Sequence, residues 1–147
     1  MTKFPDIPRY KQKTASIAPE LSGKVPGLYP FVIVGSGPVG LVLALDLARK
    51  GHQVTVLTAF DFIALGSKAI CFSKQSLDIL DRLGVGEQVV ERGVTWSVGK
   101  LFWRNDPEPV YQFDMLPVRN QKNPGFVNIQ QYYVEEHLVD ALEAMDN

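Results

Sequence analysis

One stretch constrains this chain more than any other: Phe31-Val32-Ile33-Val34-Gly35-Ser36-Gly37-Pro38-Val39-Gly40. Its four leading apolar residues, two of them valine and one isoleucine, suit a short strand covered on both faces. The G-x-G-x-x-G run that follows gives each glycine its own task. Gly35 permits a tight turn, Gly37 lets a pyrophosphate approach the backbone, and Gly40 allows the next helix to lie close on the strand. Ser36, Pro38 and Val39 fill the positions between. Pro38 suits a first helical turn, where no N–H partner is needed. The amides at that helix start offer unpaired donors and a partial positive charge to phosphate. A bare glycine motif is weak, but here a strand precedes it and a helix follows, the setting that dinucleotide binding requires. A glycine-rich turn in an α/β protein with no nucleotide is the lesser reading.

The helix has its own support. Leu41, Ala44, Leu45 and Ala48 fall on one stripe. Arg49 and Lys50 stand in the last turn, where cations suit the dipole, and Gly51 is placed to end it. Val54-Thr55-Val56-Leu57 then reads as a second parallel strand, completing a βαβ half.

Composition narrows the function classes. The 147 residues suffice for one domain, and 46% hydrophobic with 21% charged residues are globular values. A net charge of −1 gives no reason to expect nucleic acid or an anionic membrane surface as partner. Cys71 is the single cysteine, which excludes an internal disulfide and fits a reducing, cytoplasmic setting. With only His52 and His137 beside it, no metal-ligand cluster is expected. No apolar run is long enough for a membrane-spanning helix, and no secretory signal is visible.

Residues 1–30 are polar and proline-rich and are expected to form an extended arm. The run Ala59-Phe60-Asp61-Phe62-Ile63-Ala64-Leu65 lacks a clear period; it suits core filling at least as well as a pocket wall. Ser73 or Ser76 is placed to cap a helix whose buried side is Leu77, Ile79, Leu80 and Leu83, ending at Gly84. A short helix from Gly86 to Glu91 follows. Between about 95 and 125 the pattern turns to β, with a hairpin turn at Asn105-Asp106-Pro107 and a polar loop from Pro117 to Pro124. Trp96, Trp103 and Tyr111 either border a substrate pocket or, the stronger reading, are buried in sheet packing. Phe126-Val127-Asn128-Ile129 reads as a strand. A final helix from Gln131 carries Val134, Leu138, Ala141, Leu142 and Met145 on one stripe.

Four segments together resemble the flavoprotein aromatic-ring monooxygenases of the para-hydroxybenzoate hydroxylase type. They are Gly35-Ser36-Gly37-Pro38-Val39-Gly40-Leu41, Gly66-Ser67-Lys68-Ala69-Ile70-Cys71-Phe72, Leu80-Asp81-Arg82-Leu83-Gly84 and Ile129-Gln130-Gln131-Tyr132-Tyr133-Val134-Glu135. The resemblance implies an α/β, Rossmann-like and glutathione-reductase-like βαβ unit binding FAD, followed by the start of a β-rich substrate domain. It implies NAD(P)H as reductant, oxygen as oxidant and a small phenolic substrate. Gly35 to Gly40 would hold the pyrophosphate. Lys68 falls where such enzymes usually place an arginine near the FAD phosphates or ribose, and Gln131 where a glutamine meets the flavin side. No catalytic residue is singled out, because the flavin carries the reaction.

Three departures accompany the resemblance. The acidic residue that binds the adenosine ribose diol, about 20 residues on, is absent; Thr58 stands there, and weakened ribose recognition is expected. Lys68 keeps the charge of arginine without its planar fork. The second FAD motif and most of the substrate domain are also missing. Residues 31–147 therefore read as an incomplete N-terminal portion, inactive alone, with an exposed apolar face that favours self-association or a completing chain. A truncated nucleotide-binding module without catalysis, and another Rossmann-type oxidoreductase using NAD(P), stand as alternatives. The lack of a basic residue at Ala59 or Phe60 argues against a 2′-phosphate site.

Overall fold

The computed structural model describes residues 29–59, 63, 68–115 and 120–145. Residues 1–28 of the expected arm, the apolar run 59–65 apart from Ala59 and Ile63, residues 66 and 67 of the turn after it, and residues 116–119 at the start of the polar loop lie outside these. Two compact units divide the chain. One holds the residues up to 67 together with 132 onward, the other 68–131.

In the first unit β1 (Phe31–Val34) leads into α1 (Pro38–Arg49) and back to β2 (Val54–Leu57). The strands pair in parallel, Phe31 opposite Val54 through to Val34 opposite Leu57. Side chains alternate along a strand, so Phe31, Ile33, Val54 and Val56 share one face and Val32, Val34, Thr55 and Leu57 the other. Helix α1 covers the first face: a Cβ on Gly40 would lie 3.3 Å from the Ile33 side chain. Leu41, Ala44, Leu45 and Ala48 are buried there, as the stripe predicts. The second face stays in water, with Val32 49%, Val34 85% and Leu57 44% exposed. This corrects the expectation that the strand is covered on both faces, since a single crossover helix shields one side of a two-stranded sheet.

Gly51 ends α1 as expected, at φ +83. Its N–H bonds the Ala48 carbonyl and that of His52 the Leu47 carbonyl, the paired closure of a Schellman motif. Helix α4 (Gln131–Glu143) belongs to this unit beyond its first residue. Val134 and Leu138 are buried as predicted, but Tyr132, Tyr133, Glu135 and Glu136 are buried too, while Ala141, Leu142 and Met145 are only half-buried. The expected single stripe is thus replaced by a helix start enclosed around most of its girth.

The second unit is built on a three-stranded antiparallel sheet in the order β3 (Cys71–Ser73), β7 (Phe126–Asn128), β4 (Val94–Thr95). Val127, on the central strand, is fully buried. Helices α2 (Lys74–Arg82) and α3 (Gly86–Arg92) bury Leu77, Leu80, Leu83, Val85 and Val89. Ile79, predicted on the buried side, is 38% exposed, since it lies one step off the Leu77–Leu80 stripe. Ser73 occupies the N-cap position of α2, yet its hydroxyl makes no capping bond and meets the Ser76 hydroxyl at 3.4 Å. The first amide of the helix, Lys74 N–H, instead bonds the Gly125 carbonyl at 2.8 Å.

Strands β5 (Val98–Phe102) and β6 (Pro109–Asp114) form the expected hairpin, closed where the Asp106 N–H reaches the Trp103 carbonyl. Trp103 is 64% and Tyr111 60% exposed, so sheet burial is not their role. Trp96 lies between β4 and β5 and is half-buried rather than buried in a sheet: it stacks on Phe126 and donates its indole N–H to Asn128 at 3.1 Å.

Candidate functional site

The carboxyl ends of β1 and β2 lie side by side, and α1 starts just above them. In open α/β sheets this crevice is where ligands bind. The pairing runs one step past the strands, because the Gly35 N–H donates to the Leu57 carbonyl at 2.8 Å. Gly35 takes φ +108, a conformation that an L side chain resists. The chain thereby turns sharply out of the sheet and sets Gly37 at the N-cap of α1, with Pro38 in its first turn.

The two later glycines do different work. A Cβ at Gly40 would lie 2.1 Å from the Gly35 carbonyl oxygen, so only glycine lets the helix approach the turn this closely. At Gly37 a Cβ would meet no atom within 4 Å. Internal packing leaves that position unconstrained, and the open space is what an approaching pyrophosphate needs. No side chain caps α1, and its first turn holds no acidic residue. The helix itself therefore supplies neither a side-chain cap nor a first-turn acid to its N-terminal amides, which suits an anionic ligand. Val39 stands at this mouth, 84% exposed.

The glycine turn thus leaves room for a pyrophosphate, while among the described residues the end of β2 carries no carboxylate for a ribose diol. Thr58 occupies that end and is exposed. Its hydroxyl accepts a hydrogen bond from Ser36 Oγ at 3.0 Å. Gly35, Ser36, Gly37, Pro38, Val39, Gly40 and Thr58 are therefore gathered at one crevice. The Ser36–Thr58 bond was not foreseen: it depends on strand register, although the βαβ spacing already placed both residues at neighbouring strand ends.

Lys68 and Gln131 belong to the second unit, where they share a neighbourhood. The Gln131 side-chain oxygen accepts the Ala69 N–H at 3.2 Å, across 62 residues of sequence. Just beyond, the Ile129 N–H bonds the Ile70 carbonyl at 2.8 Å. Gln131 thus pins the segment that carries exposed Lys68 to the start of α4. No local sequence pattern could reveal this bond, whose partner is a backbone amide. Among the described residues, no group of three or more His, Cys, Asp or Glu side chains is placed to hold a metal ion. No helix there is long and apolar enough to cross a membrane.

Comparison with known proteins matches residues 29–146 to the family described as FAD binding domain. The chain is 36% identical over 63 residues to a para-nitrophenol 4-monooxygenase of Pseudomonas sp. (strain WBC-3), covering 43% of this chain and 16% of that protein. Its fold is similar to the crystal structure of p-nitrophenol 4-monooxygenase PnpA from Pseudomonas putida DLL-E4. There the TM-score is 0.72 and the identity 24%, over 81% of this chain and 30% of that one. It is similar also to the flavin-dependent monooxygenase PieE, solved in complex with FAD and substrate, with TM-score 0.70 and 23% identity over 81% of this chain and 23% of that one. The chain thus spans less than a third of the length of each.

Proposed function

The chain belongs to the FAD binding domain family, and from that premise we propose that it is the FAD-binding portion of a flavin-dependent monooxygenase that hydroxylates a small phenolic substrate. The single observation that carries this reading is the turn from β1 into α1: a positive-φ glycine, an uncapped helix start and an empty flank at Gly37. Gly35 to Gly40 hold the pyrophosphate. Bound FAD supplies the redox chemistry, with NAD(P)H as reductant and oxygen as oxidant. The resemblance assigns Lys68 and Gln131 to cofactor binding as well, Gln131 fixing the segment that carries Lys68. The phenolic substrate is suggested by the similarity to para-nitrophenol 4-monooxygenase.

Titration of the chain with FAD, followed by flavin fluorescence with NAD⁺ as competitor, tests the reading. Saturable FAD binding that NAD⁺ does not displace is expected. Lys68→Met and Gln131→Leu are expected to weaken it, Lys68 in a salt-dependent way. Displacement by NAD⁺ at similar concentrations would favour a nicotinamide-dependent oxidoreductase instead. A folded chain that binds neither nucleotide would overturn the cofactor reading.

A further inference from the structure

We propose that Asn128 reads the oxygen of the aromatic substrate, held in its donating orientation by Trp96. The role rests on the monooxygenase reading above and names one residue that selects the substrate. Cys71 and Val94 stand opposite Asn128 on the two flanking strands, and side chains alternate along each strand. Cys71, Asn128, Phe126, Val94 and Trp96 therefore share one face of the three-stranded sheet. Val127 lies on the other face, where a Cβ on Gly93, at the end of α3, would meet its side chain at 2.4 Å. The Val127 face is thus packed. The Asn128 face carries the exposed Cys71 thiol and Val94, 67% exposed, with Asn128 half-buried between them.

Hydrogen-bond direction fixes the amide. An indole N–H only donates, so the amide oxygen must face Trp96, as it does at 3.1 Å. The Nδ2 group with its two donor hydrogens is thereby turned away from Trp96, and the Asn128 side chain makes no other hydrogen bond among the described residues. Trp96 is held in turn by its stack on Phe126, with ring centroids 6.2 Å apart and planes 25° apart. A fixed donor thus stands beside aromatic side chains on an open sheet face, which suits a planar ring bearing an acceptor oxygen. A phenolate oxygen gains most, because a hydrogen bond to a charged acceptor is stronger than one between neutral groups. Asn128 touches the substrate in this scheme, and Trp96 is a positioning residue that orients it.

Equilibrium dialysis of the full chain against 4-nitrophenolate and against nitrobenzene, which lacks the phenolic oxygen, tests the assignment. The phenolate is expected to bind about 10-fold or more tightly than nitrobenzene, the range of one hydrogen bond to a charged oxygen. Asn128→Leu, which removes the donors, should bring that ratio to about one. Asn128→Asp keeps the shape and still accepts from Trp96, but it presents a negative acceptor to the ligand and should push the ratio below one. Trp96→Phe keeps a ring and frees the amide to rotate, so it should lower the ratio partway. A bond that merely fastens Trp96 to the sheet predicts the opposite pattern: Asn128→Asp harmless, and Asn128→Leu and Trp96→Phe less stable in thermal melts with the ratio intact. That pattern, or a folded parent chain that binds FAD but prefers neither ligand, would overturn the role of Asn128 alone. Failure of the folded parent chain to bind FAD in the same samples would overturn the monooxygenase reading beneath it.

Discussion

Gly37 and Gly40 are the same amino acid under opposite constraints, and substitution separates them. Gly37 has φ −76 and ψ 178, which any residue adopts, and open space where its Cβ would be. Gly37→Ala should therefore fold as well as the parent or slightly better, by up to about 1 kcal/mol through the unfolded chain. It should nevertheless lose FAD affinity, because the methyl occupies the pyrophosphate's approach. Gly40→Ala forces a methyl against the Gly35 carbonyl and should cost about 1–3 kcal/mol of stability. Thermal melts paired with FAD titration check both; loss of stability in both variants alike would contradict the division. At this scale the motif was legible because glycine spacing reports backbone need directly. The missing carboxylate at Thr58 was legible as well. Its bond to Ser36 was not, since a hydroxyl contact depends on the register of two strands and not on residue type. Trp103 and Tyr111 misled for a related reason: aromatic strand residues read as buried whether or not a second layer covers them.

Among the elements, β1, α1, β2, α2, α3 and α4 could be read from periodicity and end signals, with Gly51, Gly84 and Gly93 marking three helix ends. The start of α2 was legible at Ser73, but not how its first amide is satisfied. Its first amide is satisfied by Gly125, and residues 122–125 act as a clamp along the helix. Asn123, itself buried, donates to Asp78 at 2.9 Å, and Lys122 meets Asp81 at 2.6 Å and Glu87 at 3.1 Å. Lys74 pairs with Asp78 one turn along the same helix. The Asn123 amide first, and Lys74 second, hold the Asp78 carboxyl below its ordinary value. A group so depressed stabilises the fold above the unfolded-state carboxyl value and loses that contribution as pH falls through its folded value. Asn123→Ala should therefore lower the melting temperature at neutral pH, and the difference from the parent should shrink as Asp78 protonates. Melts across the acid range check this; a difference constant with pH would show that Asn123 acts through packing alone.

On the scale of the whole chain, the first unit buries one face of its sheet under α1 and leaves Val32, Val34 and Leu57 exposed on the other. Pattern alone could not foresee this asymmetry. Four apolar residues in a row state that a strand is fit for burial on both sides, but not that two layers are present to bury it. Contiguous exposed apolar side chains favour association in water, because contact removes their surface from solvent. The 147-residue chain should therefore self-associate as concentration rises, through the Val32 face. Val32→Thr keeps the β-branched shape that the strand prefers and makes that face more polar. It should weaken association in sedimentation velocity while leaving the far-ultraviolet circular dichroism and FAD affinity unchanged. Ile33→Thr, one residue along but turned toward α1, should do the reverse: lower the melting temperature without relieving association. If Val32→Thr left the sedimentation profile unchanged at every concentration, the association surface would lie elsewhere. The exposed hairpin side chains Leu101, Trp103 and Tyr111 would then be the next to replace.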